Sequence, residues 1–99
     1  MYAILFDIEK TKLTNVLLKE KHAAYDEIKM IMNEFNFHWV QGGLYISKND
    51  QNNRESIDKV INRLSRIKWF VDSVRDIKAF KVDGWSDLTG IVKANSKSE

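Results

Sequence analysis

Phe37-His38-Trp39-Val40-Gln41-Gly42-Gly43-Leu44-Tyr45-Ile46-Ser47 is the stretch that decides the fold. Two short runs of aromatic and β-branched residues flank a pair of glycines. Such side chains suit a pleated surface, and glycine takes the positive φ that a tight turn demands. The segment therefore predicts a hairpin, with strand 37–40 paired back on strand 44–47.

Outward from the hairpin, the period changes on both sides. In residues 22–36, Ala24, Ile28, Ile31 and Phe35 fall on one helical stripe, with Asp26, Lys29, Asn33 and Glu34 away from it. After a polar loop at 48–53, Ile57, Val60, Ile61, Leu64 and Ile67 share one face of a second helix. Lys59, Arg63, Arg66 and Lys68 crowd its C-terminal half, where cations suit the helix dipole. Further out, residues 2–8 are apolar without a breaker, which predicts a strand buried on both faces. Residues 74–82 predict the last main strand. Residues 9–21 are ambiguous, with a helix open to them from 13 to 20. Ser86-Asp87 predicts the cap of a short closing helix that ends at Lys93, although Gly90 weakens it. Residues 94–99 read as a polar, frayed tail.

The order strand, helix, strand, strand, helix, strand is the α+β, ferredoxin-like βαββαβ arrangement. It predicts a four-stranded antiparallel sheet with two helices on one face and a short C-terminal element. Right-handed crossovers place the first strand beside the third and the fourth. A chain of 99 residues has too little apolar surface for two cores, so residues 1–93 are expected to form one domain.

The totals exclude several classes of function. No cysteine is present, so there is no disulfide framework and no thiolate chemistry. A reducing, cytoplasmic setting is therefore expected. Met1 to Asp7 lacks the basic start of a leader, and no run approaches the length of a membrane span, so no membrane partner is expected. The net charge of +2 permits nucleic acid as a partner without arguing for it.

The topology has a consequence for chemistry. The first and second strands end where the third and fourth begin, so Asp7, Gln41-Gly42-Gly43, Tyr45 and Arg75-Asp76 should gather at one end of the sheet. Asp7 is the sharpest oddity, because a carboxylate that ends an apolar strand is costly to bury unpaired. It reads equally as an acid/base group or metal ligand at a phosphodiester, or as a capping carboxylate. Arg75 matches phosphate oxygens bidentately, or simply pairs with Asp76, Asp72 or Asp7. Gln41-Gly42-Gly43 could bring backbone amides to a phosphate, or be an ordinary turn. Tyr45 reads as a proton donor or as a sheet-packing aromatic. His22 and His38 have no metal-ligand spacing. The basic residues Arg54, Lys59, Arg63, Arg66 and Lys68 either track a phosphate backbone or form a solvated helix face.

Two helices cover one sheet face only. The other is expected to carry some of Ile4, Phe6, Trp39 and Phe80, a patch that needs a partner. A second copy of the chain would cover it as a homodimer, and so would stacked RNA bases.

Taken together these residues resemble the virulence-associated protein D family. The resemblance rests on Met1 to Asp7, on Ala24-Tyr25-Asp26, on Gln41-Gly42-Gly43-Leu44-Tyr45, and on Ser73-Val74-Arg75-Asp76-Ile77-Lys78-Ala79-Phe80. Trp85-Ser86-Asp87-Leu88-Thr89 adds to it, so the match spans residues 1 to about 93. It implies a ferredoxin-like homodimer related to a small CRISPR-associated nuclease, endoribonuclease activity on RNA, and a toxin role opposed in some members by an antitoxin. Asp7 is the carboxylate it links to activity. Family members can carry serine directly after Gln-Gly, whereas this chain has Gly43, so no hydroxyl role carries over. On this reading Asp7 acts on a phosphodiester, alone or through a divalent cation such as Mg²⁺ or Mn²⁺, although one carboxylate per subunit is a thin ligand set. Arg75 and Tyr45 assist, and Gln41, Gly42, Gly43 and Asp76 bind substrate. The rivals are a non-catalytic RNA-binding module and a structural or regulatory dimer. Strand 44–47 lacks the dense aromatics of an RNA-recognition strand, which counts against the first.

Overall fold

The computed structural model describes residues 1–47 and 54–97; the loop expected at 48–53 and the last two residues lie outside them. The strands are β1 (Tyr2–Ile8), β2 (Phe37–Gln41), β3 (Leu44–Ser47) and β4 (Val74–Lys81). The helices are α1 (Lys21–Glu34), α2 (Arg54–Leu64), α3 (Lys68–Ser73) and α4 (Thr89–Lys97). The sheet order is β2-β3-β1-β4, and every neighbouring pair is antiparallel. This is the ferredoxin-like order that the sequence predicts.

Period 2 sorts β1 onto two faces. Ile4, Phe6 and Ile8 join a core with Ile28 and Met32 of α1, Val60 and Leu64 of α2, and Phe70 of α3. Phe6 stacks on Tyr45 with centroids 5.9 Å apart and meets Phe70 edge-on at 5.4 Å. Burying each such side chain contributes roughly 1.5–3 kcal/mol. The opposite face of β1 carries Ala3, Leu5 and Asp7. Their cross-strand partners are Ile46 and Leu44 on β3, and Phe80, Lys78 and Asp76 on β4.

The expectation that β1 is buried on both faces is therefore corrected, since Leu5 is 41% exposed and Phe80 44%. The membership of the uncovered face changes as well. Ile4 and Phe6 point into the core, and only Phe80 of the four expected residues belongs to that face. Trp39 lies opposite Tyr45, on the helix side, with the Lys29 ammonium of α1 4.4 Å from its ring centroid.

Several helical segments differ from expectation. Residues 9–21 form a short π-helical turn, Lys12–Val16, closed by Leu17 N–H donating to the Lys12 carbonyl at 2.9 Å. Leu18 then takes a left-handed φ of 54°. The helix expected to reach Ile67 stops at Leu64. There the Ser65 hydroxyl donates to the Ile61 carbonyl at 2.7 Å, and Arg66 N–H donates to the Arg63 carbonyl, tightening the last turn. Ile67 opens α3, which Trp69 and Phe70 anchor to the core. Glu27 ties this region together: its carboxylate accepts from Lys19 at 3.1 Å and from the Trp69 indole at 3.2 Å.

After β4 the chain returns beside the uncovered face. Trp85, Ser86 and Asp87 share a cleft of about 530 Å³ with His38, Leu44 and Ile46. The Asp87 carboxylate accepts the Thr89 N–H at 3.0 Å and starts α4, which continues to Lys97 rather than stopping at Lys93. Gly90 falls in the first turn, away from the helix interior where glycine costs most. Leu88, Ile91 and Val92 are each more than half exposed.

Candidate active site

The end of the sheet where β1 and β2 finish holds most of the expected residues. Asp7 stands opposite Asp76 across the β1–β4 ladder, and Phe6 N–H donates to the Gly43 carbonyl at 3.1 Å from the neighbouring turn. The ladder is irregular at this point. Asp7 faces Asp76, but Ile8 faces Val74, so Arg75 is the extra residue of a β-bulge. A bulge bends its strand and re-aims the side chain it carries. Arg75 is exposed there, and among the described residues it forms no ion pair with Asp7, Asp72 or Asp76. Lys78 takes Asp76 instead, at 2.8 Å. Asp7 is exposed and has no ion-pair partner among the described residues.

The hairpin turn is held from both sides. Gly42 has a φ of +49°, and the exposed Trp39 indole donates to its carbonyl at 2.9 Å. Gly43 is pressed onto Phe6, where a Cβ would collide with the Phe6 carbonyl oxygen. Gln41 is exposed at the end of β2, beside a second register shift between Trp39 and Gln41.

Tyr45 stands apart from the exposed group. It is opposite Ile4, only 1% exposed, and stacked on Phe6, on the sheet face that Asp7 does not share. Burial, and then the neighbouring Tyr25, push its phenol up to about 12. Its proton is held too firmly for easy transfer near neutral pH. Tyr25 is pushed up as well, by burial first and by the charge of Asp7 second. The acid therefore makes itself felt on the helix side of the sheet end.

That side holds a feature the sequence reading missed. Lys10, Lys21, Tyr25, Lys29, Trp39, Gly42 and Tyr45 line a cleft of about 240 Å³. Lys21, Tyr25 and Lys29 lie at i, i+4 and i+8 along α1. That i, i+4, i+8 spacing is the signal in the sequence that marks the stripe. His22 is exposed at the start of α1 and His38 is exposed on β2. Among the described residues, no three His, Asp or Glu side chains cluster as a metal site.

No family model matches the chain. Individual proteins do. The chain is 47% identical over 93 residues to "Endoribonuclease VapD" of Dichelobacter nodosus, covering 94% of this chain and 98% of that protein. It is 40% identical to "Endoribonuclease VapD" of Helicobacter pylori over 94 residues, covering 95% of this chain and 100% of its relative. "Endoribonuclease VapD homolog" of Neisseria gonorrhoeae is 37% identical, with the same coverage. The chain belongs to the VapD family. The VapD matches run through the hairpin, the bulged β4 and nearly all the rest of the chain, in agreement with the resemblance read from its motifs. No helix among the described residues is long and apolar enough to cross a membrane.

Proposed function

We propose that this VapD family member is an endoribonuclease that cleaves RNA at the end of its sheet, with Asp7 as the acting carboxylate. One observation carries the reading. Asp7 ends a central strand whose core-facing neighbours are buried, yet it is exposed, without an ion-pair partner among the described residues, and opposite a second carboxylate. Such a group is available to take the proton of an attacking 2′-hydroxyl or water. Arg75, set outward by the bulge, offsets charge on the phosphoryl oxygens. The Gln41-Gly42-Gly43 turn and Asp76 border the substrate. Tyr45 serves by supporting Phe6 and the strand beneath it, rather than by donating its proton.

A divalent cation such as Mg²⁺ or Mn²⁺ would fit only as a water-rich ion held by Asp7, because Lys78 already takes the Asp76 carboxylate. Mg²⁺ commonly accepts one or two carboxylates and keeps several waters. When bound, it would supply positive charge at the phosphate.

Asp7 is exposed, so a single protomer does not enclose the acid. A homodimer packed through the uncovered sheet face would bring two copies of Asp7 toward its axis and build the missing wall. The family resemblance further supports a cytoplasmic toxin opposed by an antitoxin protein.

The deciding experiment is RNA cleavage by wild type and Asp7→Ala, each from two independent preparations, with and without chelator. Loss of about 10²-fold or more in Asp7→Ala is expected, within the usual range for a general base. A folded Asp7→Ala protein that cuts at the wild-type rate would remove Asp7 from the mechanism. The toxin role is tested by induced expression. Growth should stop with wild type and continue with Asp7→Ala, and equal growth in both would reject it.

A further inference from the structure

We propose that the cleft beside α1 is a subsite for one nucleotide of a single-stranded RNA, next to the bond that is cut. This rests on the ribonuclease reading above and names the part of the protein that holds the strand.

The charges argue first. Lys10, Lys21 and Lys29 converge on the cleft, and no carboxylate belongs to its lining. None of the three forms an ion pair among the described residues, whereas Lys19, Lys59 and Lys78 each take a nearby Asp or Glu. Three lysines lining one cleft favour an anion there.

The walls argue second. Tyr25 and Trp39 give the cleft aromatic sides, and Trp39 is 50% exposed, whereas Tyr45 is buried against Phe6. A phosphate alone has no use for such walls. A base does, because every base has a π-face to lay on an aromatic ring. Lys29 already sits over the Trp39 ring at 4.4 Å, so a cation and an aromatic surface are offered together. The volume of about 240 Å³ falls below the roughly 300–1,000 Å³ of drug-sized sites, which suits one base rather than a stacked pair. A duplex keeps its bases stacked inside, so the strand that enters must be single.

Position argues third. Gly42 lines the cleft and Gly43 is pressed onto Phe6, the residue before Asp7, so the cleft and the acid share one end of the sheet. A nucleotide seated against Tyr25 would lead its 3′ or 5′ phosphate toward Asp7.

The test measures binding apart from cutting. A fluorescent 2′-O-methyl RNA oligonucleotide is titrated with full-length Asp7→Ala protein, alone and with Lys21→Gln/Lys29→Gln added. The double lysine change should weaken binding about tenfold and lower the salt slope by about 1.4, for two lost phosphate contacts on a single strand. Tyr25→Ala, also in Asp7→Ala, should weaken binding with the salt slope unchanged. As a second readout, adenosine monophosphate should shift the Trp39 indole resonance of wild type, and the lysine changes should abolish the shift. Thermal melting identifies any variant that fails to fold, and Lys10→Gln, at an exposed position, then takes its place.

Equal affinity and equal slope in the lysine variant, while wild type still cuts RNA, would overturn the subsite and leave the nuclease standing. Displacement of the oligonucleotide by a polyglutamate peptide, with no response of the Trp39 indole to the nucleotide, would also overturn it and assign the cleft to an acidic protein. A wild type that binds through this cleft but never cuts would support the subsite and reject the nuclease.

Discussion

Gly42 and Gly43 are adjacent, yet different forces hold them as glycines. Gly42 has open space around its missing Cβ and needs glycine for its φ of +49°. Gly43 has an ordinary φ and needs glycine because the Phe6 carbonyl occupies the place of a Cβ. Gly42→Ala should therefore cost about 1 kcal/mol, the ordinary penalty of a left-handed residue. Gly43→Ala should cost more, about 2 kcal/mol or above, because backbone has to move. Urea unfolding of the two variants checks the order, and a reversed order would contradict the account. A serine at position 43 would meet the same obstacle, so this chain cannot gain a hydroxyl there unless Phe6 retreats. Tyr45 supplies a pH prediction. Its phenol titrates near 12 in the folded protein and near 10 when unfolded, so the folded state holds its proton more tightly. Stability from this group is complete below about pH 10 and is lost as pH rises toward 12, by at most about 2–3 kcal/mol. Denaturant midpoints measured from pH 8 to 11.5 should fall in wild type and fall less in Tyr45→Phe. Equal slopes would show that Tyr45 is not the group responsible.

Among the elements, legibility followed length and period. The hairpin, α1, α2 and β4 were readable because each repeats its pattern long enough to fix a face. The six-residue α3 makes fewer than two turns, so Trp69 and Phe70 gave no period to read and merged with the helix before them. The π-helical turn at Lys12–Val16 closes on i→i+5 bonds, for which apolar spacing carries no familiar signature. Its exit is strained, since Leu18 is left-handed and 82% exposed. Leu18→Gly should raise stability by up to about 1 kcal/mol, the relief of a Cβ clash less the added chain entropy. A lower melting temperature in that variant would show that Leu18 contributes contacts its exposure does not suggest. The candidate site followed the same rule. Asp7, Arg75 and Asp76 could be placed together because they sit on strands whose order the topology dictated. The bulge that turns Arg75 outward was not readable, because one extra residue leaves no mark on alternation. Lys10 joins Lys21 and Lys29 only through the path of the segment before α1, which the sequence left undetermined.

The whole molecule is thin, with extents of 48 × 37 × 19 Å, because one layer of helices backs one sheet and nothing comparable covers the other side. Leu5 and Phe80 are left 41% and 44% exposed on that side, and Trp85, Leu88, Ile91 and Val92 of the returning chain are more exposed still. A sheet face that leaves large apolar side chains open in this way suits a partner, because a contiguous apolar patch marks a partner site. On the proposed dimer, wild type should have the mass of two chains by light scattering, and Leu5→Glu/Phe80→Glu should leave a folded protein with the mass of one. A wild type that is monomeric at high micromolar concentration would remove the dimer from the proposal. If the bare sheet face is where two halves of a catalytic groove meet, abundance itself becomes a control. Diluting the protein below its self-association constant would lower the rate per molecule as well as the total rate. A cell making a few copies would then carry almost no nuclease, and one making many would cross abruptly into RNA destruction without any signal beyond the amount synthesised.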